Sequence, residues 1–161
     1  MLRPVTIVTG FLGSGKSTLL NHMLAAPQLR GAAVIINEFG AVPIDQVLVR
    51  SAIENTTVLD NGCICCTIRG DLVDTLLDLE AGVARGELPP FDRVVIETTG
   101  LADAAPILHT LTTEAAICER YAIWSVITTL DATHAVAQLA RYEEARRQVA
   151  LASCHRSCNS P

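Results

Sequence analysis

Short apolar runs alternate with amphipathic segments along most of the chain. Five of these runs are rich in β-branched residues, and each predicts a buried strand. The predicted strands cover residues 5–10, 32–36, 57–59, 93–96 and 123–129. Because strands that are apolar on both faces are typical of a parallel sheet covered on both sides, the pattern predicts an α/β fold with three layers and a mainly parallel central sheet.

Between these runs, apolar residues recur at helical spacing. The predicted helices cover residues 16–26, a segment around 72–83, a segment that begins near Ala104, and a long segment from about Thr133 to Leu151. Helices that alternate with strands supply the crossover connections that a parallel sheet requires.

The composition agrees with one domain that needs no disulfide to fold. The chain has 161 residues, of which 50% are hydrophobic, so a sizeable core can be buried. Its last eleven residues, LASCHRSCNSP, have no periodicity where another core strand is expected. We predict one domain over residues 1–152, incomplete at its end, and an aberrant or disordered tail over residues 153–161.

Charge and hydropathy argue against a nucleic-acid-binding protein and against a membrane protein. The net charge is −5, and the arginines at 141, 146 and 147 are interleaved with Glu143 and Glu144, a pattern typical of a solvated helix face. No apolar run approaches the roughly 20 residues of a membrane helix, and the N-terminus does not resemble a signal peptide. We therefore expect a cytoplasmic protein whose partners include neither nucleic acid nor a membrane.

The segment Gly10 to Ser17 reads GFLGSGKS and matches G-x-x-x-x-G-K-[ST] at every fixed position. In this motif, glycines let backbone N–H groups surround the β-phosphate. Lys16 supplies a cation to the β- and γ-phosphates, and the Ser17 hydroxyl can bind Mg²⁺. The motif lies between a predicted strand and a predicted helix, as its chemistry requires, and it predicts nucleoside triphosphate binding.

Two acids follow other predicted strands, at the carboxyl ends where α/β proteins bind ligands. In VVIETTG, Glu97 is placed to hold the metal of a P-loop enzyme, and Gly100 offers a backbone N–H that could sense a γ-phosphate. In NEFG, Glu38 is a candidate ligand for Mg²⁺, a water or a transferred metal, although an exposed loop acid is the alternative.

Cys63, Cys65 and Cys66 lie between a predicted strand and a predicted helix, in a segment that we expect to be a loop able to bring the thiolates together. Thiolates bind Zn²⁺ and Cu(I), and three of them leave one coordination position open. The alternative is an apolar cluster around Ile64, since cysteine is often buried. A disulfide between the adjacent cysteines would be strained.

Taken together, GFLGSGKSTLLN, NEFG, NGCICCTIRGDL, ETTGLADAAPI and LDATH resemble the CobW-type GTP-binding metallochaperones, relatives of the HypB and UreG proteins, over residues 4 to about 152. The resemblance implies a P-loop GTPase that uses GTP and Mg²⁺, binds Zn²⁺ or Co²⁺, and delivers that metal to a client metalloprotein or cofactor pathway. A homodimer is an open alternative for its assembly.

Carried onto this chain, the resemblance implies three groups of site residues. The predicted catalytic residues are Lys16, Ser17 and Glu97. The predicted nucleotide-binding residues are Gly10, Gly13, Ser14, Gly15, Lys16, Ser17, Thr18 and Gly100. The predicted metal ligands are Cys63, Cys65, Cys66, Glu38 and, for Mg²⁺, Ser17.

The chain also departs from the family pattern. Ala41 follows NEFG where an acid is usual, and neither an NKxD-type guanine motif nor the usual C-terminal domain is present, so we expect a truncated or frameshifted relative. The alternatives are a metal-binding fragment without effective nucleotide hydrolysis and a P-loop ATPase or kinase.

Overall fold

A computed structural model describes residues 1–37, 48–50, 56–59, 62–67 and 71–153. Seven strands in these ranges form a sheet of order β3-β4-β5-β2-β6-β1-β7. The strands are β1 (Arg3–Gly10), β2 (Ala33–Asn37), β3 (Leu48–Arg50), β4 (Thr56–Leu59), β5 (Ile64–Thr67), β6 (Val94–Thr98) and β7 (Tyr121–Thr129). The five strands from β5 to β7 are parallel, and β3 and β4 extend the sheet in antiparallel pairing, which confirms the mainly parallel α/β prediction.

Helices connect most of the parallel strands. They are α1 (Lys16–Ala25), a short 3-10 helix (Pro27–Leu29), α2 (Leu72–Ala84), α3 (Ala105–Thr113), α4 (Ala115–Cys118), α5 (Ala135–Arg141) and α6 (Glu143–Ala150). The side chain of Asp71 accepts a hydrogen bond from the Val73 N–H and so caps the start of α2. In the described part of the chain, no helix combines the length and apolar character needed to cross a membrane.

The sheet separates two apolar cores, which makes the domain three-layered. On one face, Leu20 and Leu24 of α1 pack against Val8, Val34 and Val95 of the sheet. On the other face, α2, α3 and α4 cover the alternate residues of the same strands; the buried helix residues there are Leu72, Leu76, Leu79, Ile107, Leu111 and Ile117. Because each central strand buries both faces, it reads as a continuous apolar run in the sequence.

Two local expectations were wrong. The cysteine segment is not a loop, because residues 64–67 form β5, between β2 and β4. The long helix predicted from about Thr133 to Leu151 is two helices, because Tyr142 adopts an extended conformation and separates α5 from α6. Helical periodicity continues through this break, so the sequence pattern does not reveal it.

The predicted boundary between domain and tail stays a prediction. Ser153 donates its backbone N–H to the Val126 carbonyl at 2.9 Å, and its hydroxyl accepts from the Val126 N–H at 3.0 Å. Residues 154–161 lie outside the described part of the chain.

Charged residues join the sheet to α2 at the amino ends of the strands. Glu80 of α2, whose side chain is only 14% exposed, pairs with Arg3 at the start of β1 and with Arg120 just before β7. The Arg3 guanidinium also lies 4.8 Å from the centroid of the Phe91 ring. Burial raises the pKa of the Glu80 carboxyl, but Arg120, Tyr121 and Arg3 together outweigh it and hold that pKa below its ordinary value.

We expect Glu80→Gln to lower the free energy of unfolding by about 1–2 kcal/mol at pH 7, because two arginines lose a charged acceptor. Since the folded-state pKa of Glu80 is lowered, its stabilisation is complete above the ordinary glutamate pKa of about 4.3 and disappears as the pH falls through the lowered value. Urea unfolding at pH 7 and pH 3 measures this, and the difference between wild type and variant should shrink at pH 3.

The matched control is Glu87→Gln, which removes the carboxylate of an exposed pair with Arg85. Exposed pairs contribute little, so this variant should unfold like the wild type. Equal stability of Glu80→Gln and Glu87→Gln at pH 7 would contradict the assigned role of Glu80.

Candidate nucleotide-binding and metal site

The P-loop follows the carboxyl end of β1 and leads directly into α1. Gly13 and Gly15 have φ angles of 76° and 91°, in the left-handed region that favours glycine, which explains two of the motif's glycines. Lys16, which is 8% exposed, donates from Nζ to the Gly10 carbonyl at 3.0 Å and to the Phe11 carbonyl at 3.3 Å. The loop thus holds its ammonium group beside the N-terminus of α1, where an anion would also be favoured.

β7 supports this loop from the side. A Cβ on Gly10 would lie 2.3 Å from Thr129 Oγ1, so only glycine allows the two strand ends to approach so closely. Thr129 Oγ1 donates to the Thr9 carbonyl at 3.2 Å and lies 2.6 Å from Ser14 Oγ. Sequence reasoning missed Thr129, because its proximity to the P-loop depends on β7 lying next to β1 in the sheet.

Glu97 and Ser17 meet across two elements. Glu97 is the penultimate residue of β6 and lies opposite Val8 of β1. It is 1% exposed and accepts a hydrogen bond from Ser17 Oγ at 3.1 Å. The structure therefore brings together the acid and the hydroxyl that the sequence assigned to one site. Both provide hard oxygen atoms, the donor type that Mg²⁺ prefers.

The loop after β6 rests on the P-loop. A Cβ on Gly100 would lie 2.6 Å from Leu12 Cδ2 and 2.9 Å from Leu12 Cα, so the two loops are in direct contact at a glycine. On its other side, Gln148 of α6 donates from Nε2 to the carbonyls of Gly100 at 3.2 Å and Ala102 at 3.0 Å. Gln148 was not predicted as a site residue, and no motif around it indicates this contact.

The three clustered cysteines are buried and divided between the two faces of the sheet. Cys63 and Cys65 lie in the core on the α1 face, whereas Cys66 lies in the core on the α2 face, as the alternation of side chains along β5 requires. The thiol of Cys63 donates to the Leu29 carbonyl at 2.8 Å. Among the described residues, no group of three or more metal-ligating side chains is assembled.

Burial raises the pKa of the Cys65 thiol to about 12, with smaller contributions from Cys63 and Glu97. It also raises the pKa of Cys66 to about 12, with a smaller contribution from Cys65. In this arrangement both groups are neutral thiols at pH 7, and a metal ion that bound them would displace their protons.

The structure thus brings most of the predicted nucleotide-site residues to the carboxyl edge of the parallel sheet. They are Gly10, Gly13, Ser14, Gly15, Lys16, Ser17, Glu97 and Gly100. Thr18 lies in the first turn of α1, and its carbonyl lies 2.8 Å from His22 Nδ1. Glu38 lies outside the described residues.

Fold and site together define the class of this protein: an α/β nucleoside-triphosphate-binding domain of the P-loop type. The chain belongs to the CobW/HypB/UreG family, whose nucleotide-binding domain matches residues 4–155. The resemblance drawn from the motifs is therefore confirmed.

Similar proteins include the zinc chaperone YjiA of Escherichia coli, which is 44% identical over 148 residues, or 92% of this chain and 46% of that protein. The zinc-regulated GTPase metalloprotein activator 1 of Dictyostelium discoideum is 36% identical over 124 residues, or 69% of this chain and 25% of that protein. The crystal structure of the Zn(II)-bound YjiA GTPase from E. coli superposes with a TM-score of 0.77 at 41% identity, covering 94% of this chain and 48% of that one. The chain thus spans less than half the length of these relatives.

We expect Gly100→Ala to weaken nucleotide binding by about tenfold or more, because the added methyl group must push Leu12 and the P-loop out of place. Titration with a fluorescent nucleotide measures the affinity, and circular dichroism checks that the variant folds. Gly86→Ala is the matched control: the φ of Gly86 is 72°, so alanine is strained there, but no atom lies within 4 Å of the new Cβ. Equal affinities for the two variants would show that the contact with Leu12 does not shape the site.

Proposed function

We propose that this chain is the nucleotide-binding domain of a metallochaperone that binds and hydrolyses GTP and transfers a metal ion, zinc or cobalt, to a client metalloprotein. The observation that carries the proposal is the hydrogen bond from Ser17 of the P-loop to Glu97 at the end of β6. Glu97 lies on the same face of the sheet as Cys65 and is close enough to raise the pKa of that thiol. One carboxylate therefore faces both the nucleotide loop and the cysteine strand.

The donor atoms at this position fit Mg²⁺. Ser17 and Glu97 would hold it, directly or through water, and bound Mg²⁺ would neutralise charge on the β- and γ-phosphates. The hydroxyl and the carboxylate already lie 3.1 Å apart, so both oxygens face one small region.

The chain's own residues would perform the rest of the phosphate chemistry by position and charge. Lys16 would exchange its two loop carbonyls for phosphate oxygens, and the backbone N–H groups of residues 13–18 would bind the phosphates at the N-terminus of α1. Gly100 would present its N–H to the γ-phosphate. We assign catalysis to charge stabilisation and a positioned water, as phosphoryl transfer in P-loop enzymes requires.

The preference for GTP and the choice of metal are supported by the relatives. The E. coli relative is a zinc chaperone and a GTPase, and the Dictyostelium relative is a zinc-regulated GTPase metalloprotein activator. Metal transfer of this kind would take place in the cytoplasm, where thiols remain reduced.

Cys63, Cys65 and Cys66, with Glu38, are the proposed ligands of the transferred metal. With β5 paired as it is, Cys65 and Cys66 point to opposite faces and cannot both reach one ion. Binding through both would require β5 to leave its regular pairing with β2. Since β2 also pairs with β6, which carries Glu97, such a change is transmitted toward the nucleotide site.

Lys16→Ala should weaken binding of Mg²⁺–GTP by about 100-fold, or 2.7 kcal/mol, because no other cation replaces it in the loop. Isothermal titration with GTP, ATP and GDP measures this. Absence of nucleotide binding by the wild type would favour a metal-binding fragment, and tighter binding of ATP than GTP would favour an ATPase or kinase.

Lys16 is also the only lysine in the chain, which provides a direct control. An amine-acetylating reagent can modify only Lys16 and the fully exposed N-terminus at Met1. GTP should protect Lys16 and leave Met1 reactive, as followed by mass spectrometry. Equal protection of both amines would argue against phosphate binding by Lys16.

For the metal site, we expect Cys65→Ser and Cys66→Ser each to weaken zinc binding by at least about tenfold, since each removes a thiolate ligand. Competition with a chromophoric chelator measures the affinity, and Cys118→Ser, in α4, is the matched control. Zinc should also accelerate amide exchange in residues 64–67, because coordination by adjacent cysteines disrupts the strand. An unchanged zinc affinity in both variants would show that these cysteines are core residues and not metal ligands.

A further inference from the structure

Gln148 carries a buried amide in the last turn of α6, and this amide contacts another part of the chain. Its side chain is 1% exposed, and Nε2 donates to the carbonyls of both Gly100 and Ala102. Both carbonyls belong to the loop that follows β6, so one side chain fixes two peptide groups of that loop.

The helix that carries Gln148 is itself fixed to the nucleotide side of the domain. Thr128 Oγ1 of β7 donates to the Gln148 backbone carbonyl at 2.7 Å. At the N-terminal end of α6, the Tyr142 ring stacks on Phe11 of the P-loop with centroids 4.7 Å apart. α6 therefore contacts both loops that surround the predicted phosphate site.

A merely space-filling role does not account for a glutamine at this position. Its Oε1 atom is buried and has no hydrogen-bond partner among the described residues, which is unfavourable. An apolar side chain of similar size would fill the space without that cost. The favourable part of the amide is the pair of bonds from Nε2.

We propose that Gln148 is a positioning residue that holds the loop of residues 99–102 in place and thereby sets how Gly100 meets the γ-phosphate. The part of this inference that concerns the γ-phosphate rests on the proposed function. A shift of Gly100 away from α6 would stretch the 3.2 Å bond to the Gly100 carbonyl, and the 3.0 Å bond to the Ala102 carbonyl restrains the same loop two residues further on. Diphosphate binding does not need this loop, so the effect should be specific to the triphosphate.

Gln148→Met tests the proposal, because methionine retains the size of the side chain and lacks the donor. Glu143→Gln is the matched control, since it removes an exposed ion pair with Arg147 on the same helix and leaves the Gln148 amide and its backbone anchor intact. If methionine prevents folding, Gln148→Asn serves instead, because its amide is one methylene too short to reach both carbonyls.

The first measurement is amide hydrogen exchange without nucleotide. The Ala102 N–H donates to the Thr99 carbonyl at 3.1 Å, and its exchange should become about tenfold faster in Gln148→Met but not in Glu143→Gln. Unchanged exchange in Gln148→Met, or equal acceleration in both variants, would overturn the positioning role. This result does not depend on whether the chain hydrolyses GTP.

The second measurement compares a non-hydrolysable GTP analogue with GDP. In Gln148→Met we expect the affinity for the analogue to fall about tenfold and that for GDP to stay within about twofold. Parallel losses for both nucleotides would overturn the inference. A wild-type chain that binds neither nucleotide would instead refute the proposed function, and the exchange measurement would then decide the role of Gln148.

Discussion

The parallel pairing of β1 with β6 and β7 is the constraint on which the rest of the site depends. It aligns Val8 with Glu97 and Gly10 with Thr129, so three strand ends meet at one edge of the sheet. The P-loop starts from the central strand of this group, and each neighbour supplies one polar side chain to it. Ser17 and Glu97 are 80 residues apart in the sequence, and this register brings their side chains into contact.

Two glycines allow neighbouring elements to come unusually close at this edge. Gly10 allows β7 to approach the P-loop, and Gly100 allows the loop after β6 to rest on Leu12. Around these contacts, Thr129 and Gln148 hold backbone carbonyls by hydrogen bonds. At both glycines the neighbouring element leaves no room for even a methyl group, so a displacement on one side of the contact presses directly on the other.

The cysteine strand shows the limit of motif reading. Spacing made Cys63, Cys65 and Cys66 candidate metal ligands, but it could not show that their side chains lie in two different cores. The pattern C-I-C-C is short and apolar, so it suits a loop, a buried strand or a metal site equally well. The segment forms a strand because it pairs with β2 on one side and β4 on the other, which satisfies its backbone hydrogen bonds in both directions.

By itself, the sequence determined the phosphate loop and the alternation of strands and helices, and it proposed Ser17 and Glu97 for one site. These features depend on local rules: left-handed glycines, apolar periodicity, and the chemistry that phosphate and Mg²⁺ require. Only the tertiary structure decided that Thr129 supports the P-loop, that Tyr142 breaks a helix to stack on Phe11, and that Gln148 holds the loop after β6. Those contacts join residues that lie 46 to 131 positions apart in the sequence. No local pattern records such a contact, because strand order and helix packing bring the residues together.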